Sequence, residues 1–219
     1  MIRQLTRPLL RPLMRPLVGK GGSCERWVYD FDGVNDFAQF GQRLIDPEGD
    51  IDIEIQFGDL SGLVIGTEYA LVSQCESSTF NNKEFRLYLN SASNAVQMQI
   101  GGTTYSGSTS ALRPPSFSKL RVTLIGSDYT VQINDAILFN GTLNRGAARE
   151  PFALTRIGAD RHGAGFRAFF LGIIRDININ GQLYPINNPA SATQASVPDN
   201  GNPLTLFNTN QGRWSKIPC

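Results

Sequence analysis

The segment Glu48-Gly49-Asp50-Ile51-Asp52-Ile53-Glu54 places an acid at every second position. In an extended strand alternate residues share a face about 6–7 Å apart, so Asp50, Asp52 and Glu54 would form a row of three carboxylates. Carboxylates paired across a scissile bond perform glycoside hydrolysis, one as nucleophile or base and the other as proton donor. The same alternation has a plainer reading, in which Ile51, Ile53 and Ile55 fill a core while the acids face water. The plainer reading is preferred, because short motifs often mislead and the chain holds just two tryptophans to stack sugars. No catalytic role is therefore assigned, and Asp50, Asp52 and Glu54 stand as the candidates should there be one.

Other chemistry is sparser. His162 is the single histidine, and no serine or cysteine nucleophile signal accompanies it. Asp32, Asn35, Asp36 and Asp160 are oxygen donors of the kind calcium takes at the rim of a sandwich; a role in loop turns is the preferred reading, and no other cofactor is expected. Tyr105, Phe166 and Trp214 are the aromatic candidates for stacking against a glycan. The three cysteines, Cys24, Cys75 and Cys219, match no zinc or redox spacing, and an odd count leaves a disulfide framework incomplete. They read as reduced thiols.

Positioning any such site falls to strands. Val, Ile, Phe, Tyr and Leu cluster in short runs divided by turn residues, over 27–31, 37–40, 50–57, 69–74, 84–90, 95–100, 119–125, 130–133, 136–139, 153–157, 166–179 and 182–184. Asp50–Ile55 and Arg175–Asn180 alternate strictly, as half-buried antiparallel strands do. Gly126-Ser127-Asp128 and Asn134-Asp135 sit where hairpin turns are needed. No segment keeps a helical period over ten residues, so the expected fold is all-β: two antiparallel sheets packed as a sandwich. The domain is expected over 23–187, followed by a polar Asn-, Pro- and Ser-rich extension over 188–219.

Residues 1–22 read as a separate arm and glycine hinge. Arg7-Pro8-Leu9-Leu10, Arg11-Pro12-Leu13-Met14 and Arg15-Pro16-Leu17-Val18 repeat one rhythm. Proline forbids a helix here and pushes the preceding arginine toward extended conformations. The arm holds five of the chain's 20 basic residues and none of its 19 acids, so within a formal net charge of +1 it carries +5 and the body −4. In a β-like conformation Arg7, Leu9, Arg11, Leu13, Arg15 and Leu17 share one face, and Pro8, Pro12 and Pro16 remove donors from one edge. That pattern suits one-sided docking on another protein's sheet. The arm has no aromatic residue for base stacking, so no specific nucleic-acid binding is expected. No apolar run is long enough to span a membrane.

Three phrases carry a family resemblance. Tyr29-Asp30-Phe31-Asp32-Gly33-Val34-Asn35-Asp36-Phe37 resembles the opening of laminin-G-like, concanavalin A-like jelly-roll domains. Phe117–Leu124 with Thr130–Asn134 resembles their central hairpin, and Thr155–Ala159 with Phe169–Ile177 their closing strands. Asp50–Glu54 also resembles the catalytic strand of retaining β-glucanases on the same fold, in which the first acid is nucleophile and the last is acid/base. The resemblance implies a jelly roll, and that fold serves lectins, enzymes and viral structural proteins alike. Joined to the arm, it resembles tailed-bacteriophage virion proteins in style. The leading expectation is thus a non-enzymatic virion component, in head decoration or in a tail or fibre, assembled in the host cytoplasm. It would be homo-oligomeric and held to other virion proteins by its arm. The alternatives are a glycan-binding, lectin-like module for host adsorption and a glycosidase using Asp50 and Glu54.

Overall fold

The computed structural model describes residues 25–58, 60, 64, 66–75, 85–108, 117–144, 153–162, 165–185, 194–196, 204–208 and 214–218. Among them there is no α-helix. The strands are β1 (Glu25–Asp32), β2 (Phe37–Phe40), β3 (Ile51–Gly58), β4 (Glu68–Gln74), β5 (Phe85–Asn90), β6 (Ala95–Ile100), β7 (Thr103–Ser108), β8 (Ser118–Ile125), β9 (Asp128–Ile133), β10 (Ala136–Thr142), β11 (Arg156–Ile157), β12 (Asp160–His162), β13 (Gly165–Arg167), β14 (Leu171–Ile179), β15 (Gln182–Pro185), β16 (Gln194–Ser196), β17 (Leu204–Phe207) and β18 (Trp214–Pro218).

They form two large sheets and one ribbon. The first sheet runs β10-β9-β8-β3-β14-β1-β18, with β15 also on β14; the second runs β16-β17-β2-β11-β4-β5-β6-β7; β12 and β13 pair with each other. The pairings are antiparallel. Alternation decides which face is which. In β3 Ile51, Ile53, Ile55 and Phe57 are buried between the sheets while Asp52, Glu54 and Gln56 are partly exposed. In β5 and β6 Phe85, Leu87, Leu89, Val96, Met98 and Ile100 point inward to meet them. Each fully buried side chain of this size contributes about 1.5–3 kcal/mol.

Two glycines and one turn set local geometry that other residues would not permit. A Cβ on Gly107 would stand 2.6 Å from the Phe139 ring, so glycine lets β7 of one sheet close against β10 of the other. Gly158 has φ +78°, and a Cβ there would meet Phe31 at 2.9 Å. Asn134 and Asp135, at φ 50° and 66°, make the left-handed two-residue hairpin turn between β9 and β10.

The C-terminal region departs from expectation. It was expected as a polar extension over 188–219, yet β17 pairs with β2 and β18 with β1, so both belong to the sandwich. Leu204 and Leu206 supply the buried face of β17, a two-residue apolar signal set in polar sequence. β7 also went unanticipated, because Thr103–Ser108 is a small, polar and mostly exposed edge strand.

Candidate functional site

The outer face of the second sheet carries an unusual set of buried polar groups. Registry aligns Gln39, Arg156, Ser73, Arg86, Gln99 and Thr104 in one row across β2, β11, β4, β5, β6 and β7; Arg156, Ser73, Arg86 and Gln99 are buried, Gln39 is partly buried and Thr104 at the edge is exposed. The β12–β13 ribbon lies over this row and anchors there through Asp160, which is fully buried. The Asp160 carboxylate pairs with Arg86 Nε at 2.9 Å and with Arg167 Nε at 3.3 Å, and the Cys75 thiol donates to its other oxygen. Arg86, 3% exposed at its side chain, also reaches the Glu68 carboxylate at 3.0 Å and stacks on Tyr88. Burial pushes the Tyr88 phenol above its ordinary pKa, and the neighbouring Glu68 charge adds to the shift. Arg156, 1% exposed, donates to Gln39 Oε1 at 2.9 Å and to the Cys75 carbonyl at 3.0 Å. Ala70 N–H donates to the Ala168 carbonyl at 2.7 Å, fastening the strand exit of the ribbon to β4.

This anchorage presents an aromatic stack. Phe166 of β13 lies 4.4 Å from Phe37 of β2, and Phe37 lies 4.9 Å from Phe207 of β17 with the rings 9° from parallel. Phe37 is buried, whereas Phe166 and Phe207 at the two ends keep 39% and 38% exposure. The Arg156 guanidinium stands 5.6 Å from the Phe166 ring centre. Polar groups border the stack: Asn208, in a left-handed conformation, donates from Nδ2 to the Asn35 carbonyl, and Arg167 remains partly exposed. An apolar ring surface beside amide and guanidinium donors suits a ligand with one apolar face and a hydroxylated rim. Phe166 was among the sequence candidates; Phe37 and Phe207 were not. Their signal was the alternation of Phe37-Ala38-Gln39-Phe40 and Leu204-Thr205-Leu206-Phe207, which marks each as a strand side chain without revealing that the strands adjoin.

The other candidates lie elsewhere. Asp52 and Glu54 sit on the outer face of the first sheet, as the plainer reading expects, and Asp50 immediately precedes them. Both Asp52 oxygens accept from Arg121, at 3.0 Å from Nε and 2.9 Å from Nη2, and this contact raises the Arg121 pKa further. Asp50 Oδ1 accepts from the Gly126 amide at 2.9 Å. Tyr105 is turned inward beside Tyr129, ring centres 4.8 Å apart. Trp214, expected to stack on a glycan, is instead 9% exposed and meets Tyr29 edge to face in the core. The reason is its place on β18, where pairing with β1 directs it inward.

The proposed calcium donors have structural partners. Asp32 Oδ1 caps a turn by accepting from the amides of Val34, Asn35 and Asp36. Asp36 is buried and accepts from the Tyr29 hydroxyl at 3.2 Å, and Asp160 binds the arginines already described. Among the described residues no group of three or more His, Cys, Asp or Glu side chains converges on a metal-sized site. The docking-arm residues Arg7, Pro8, Leu9, Arg11, Pro12, Leu13, Arg15, Pro16 and Leu17 lie outside the described residues.

The sandwich is an antiparallel jelly roll of the concanavalin A-like kind, and solved structures share it. A carbohydrate-binding module, CBM40, of the Ruminococcus gnavus IT-sialidase superposes with TM-score 0.53 at 13% identity, covering 74% of this chain and 94% of that one. The heptameric SAP-like pentraxin of Limulus polyphemus gives 0.53 at 14% identity, covering 70% and 75%. Mouse laminin α1 domains LG4-5 give 0.55 at 13% identity, covering 75% and 47%. No protein-family model matches the sequence, and no curated protein does. At these identities the likeness is one of fold.

Proposed function

We propose that this chain is a glycan-binding, lectin-like module whose ligand packs on the Phe207–Phe37–Phe166 stack. The observation that carries this reading is the stack itself, two exposed rings held by a buried third on the outer face of the sheet, next to a row of polar side chains. A sugar ring has the matching chemistry, apolar C–H faces with hydroxyls around the edge. The fold gives independent support, since the Ruminococcus gnavus module named above has been solved bound to α2,3 sialyllactose.

Recognition then divides between two kinds of group. Phe207, which has no further ring partner among the described residues, offers apolar surface, while Asn208 and the exposed part of Arg167 supply donors to hydroxyl oxygens. Rigidity comes from beneath, because the Asp160 anchorage fixes the ribbon and so Phe166 before any ligand arrives. The reading includes no catalytic step: Asp52 is engaged by Arg121, and the acid row lies on the opposite sheet. A virion role rests on the sequence of residues 1–22, which suits attachment of such a module to a larger assembly. A glycan array probed with the intact chain and with Phe207→Ala tests the proposal. Signal on a defined glycan class that the variant loses supports it, and an array silent for the intact chain refutes it.

A further inference from the structure

A second site lies on the opposite face of the sandwich. A groove of about 500 Å³ opens on the first sheet, lined by Asp50, Asp52, Arg121, Thr123, Ile125 and Asn180. Its volume falls within the ~300–1,000 Å³ typical of small-molecule sites. The geometry points to a neutral polyhydroxylated ligand here, a single sugar residue bound independently of the aromatic stack.

The walls are fixed by bonds that leave functional groups over. Asn180 Oδ1 accepts from the Asp52 amide at 2.9 Å, and Asn180 Nδ2 donates to the Leu44 carbonyl at 3.3 Å. The preceding loop is pinned in turn, Gln74 Oε1 accepting from Ile45 N and the Thr155 hydroxyl, and Thr155 Oγ1 accepting from Leu44 N. Arg121 uses Nε and Nη2 on Asp52, so Nη1 keeps its donors among the described residues. Asp50 uses Oδ1 on Gly126, leaving Oδ2 as an acceptor, and the Thr123 hydroxyl can act in either sense. Beside them Ile125 is 70% exposed, an apolar side chain set among donors and acceptors.

Charge selects the ligand class. Two carboxylates against one guanidinium disfavour an anion, and a guanidinium bound to Asp52 disfavours a metal ion in contact with the same carboxylate. A neutral ligand with adjacent hydroxyls meets neither penalty: it donates to Asp50 Oδ2, accepts from Arg121 Nη1 and places C–H groups on Ile125. The arrangement makes the module bivalent, with one sugar contact on each outer face.

The test is amide NMR of the intact chain titrated with methyl β-D-galactopyranoside and methyl α-D-mannopyranoside as neutral probes and sodium glucuronate as the anionic one. At least one neutral glycoside should give saturable shifts at Asp52, Arg121, Thr123 and Gly126. Those shifts should persist in Phe207→Ala, and Thr123→Val and Asp50→Ala should each weaken the affinity at least threefold. Absence of saturable shifts with both neutral glycosides at ~50 mM, where a ligand of ~1 mM Kd is nearly saturating, overturns the inference. Equal or tighter binding of glucuronate overturns it, as does loss of the groove shifts in Phe207→Ala, which would leave one site.

Discussion

Asp160→Asn keeps the shape of the side chain that anchors the β12–β13 ribbon and removes its charge. Asp160 is fully buried and Arg86 is 3% exposed at its side chain, 2.9 Å apart. At an effective dielectric near 20, two charges at that distance attract by about 6 kcal/mol. Desolvation of both groups offsets part of this, and breaking a buried pair by removing one partner costs about 3–5 kcal/mol. Arg167, 39% exposed, adds at most about 1 kcal/mol, and Glu68 continues to hold Arg86 at 3.0 Å. The loss should therefore fall at the lower end, about 3 kcal/mol. Urea unfolding followed by tryptophan fluorescence should show it at unchanged m-value, with Tm lower by about 6–12 °C for a chain of this size. In Asp160→Leu/Arg86→Met, where neither charge remains, much of the loss should be recovered. A loss below about 1 kcal/mol in Asp160→Asn would refute the reasoning that this buried charge fixes the ribbon.

Three further outcomes follow from particular contacts. Gly158→Ala forces a side chain into φ +78° and 2.9 Å from Phe31, and unfolding should show at least about 1–3 kcal/mol of destabilisation. Asp52→Asn removes a bidentate but exposed ion pair, 44% exposed on each side, and thermal unfolding should register no more than about 1 kcal/mol, less at high salt. Tyr88 has its phenol pKa raised above 10.0 by burial; the unfolded chain therefore loses that proton first, and stability present below pH 10 declines as pH rises beyond it. Tyr88→Phe should flatten that decline in pH-dependent denaturation.

The fold was legible where alternation was strict. Ile51, Ile53 and Ile55 are buried and Asp52 and Glu54 are not, and Ile177 and Ile179 turn inward around Asn178 as Arg175–Asn180 predicts. Asn134-Asp135 announced its turn because few residues accept positive φ at two adjacent positions. The site was less legible because it is assembled across the chain. Phe37, Phe166 and Phe207 meet through pairings that join β2 to β17 and set β13 above them, and no local pattern encodes a neighbour more than a hundred residues away. Trp214 misled for a related reason. In polar sequence it looked like a surface aromatic, while its position opposite Tyr29 on β1 makes it core. Asp160, with glycines nearby at 158, 163 and 165, read as a turn residue; its buried arginine partner lies on β5, far off in sequence.

The central claim concerns the aromatic stack. Isothermal titration of the intact chain and of Phe207→Ala with a glycan that the array identifies tests it most directly. Burying about 50 Å² of the Phe207 ring contributes about 1.3 kcal/mol, so Kd should rise about tenfold in the variant with its unfolding midpoint little changed. Equal affinity in the two proteins would place the sugar elsewhere and contradict the account.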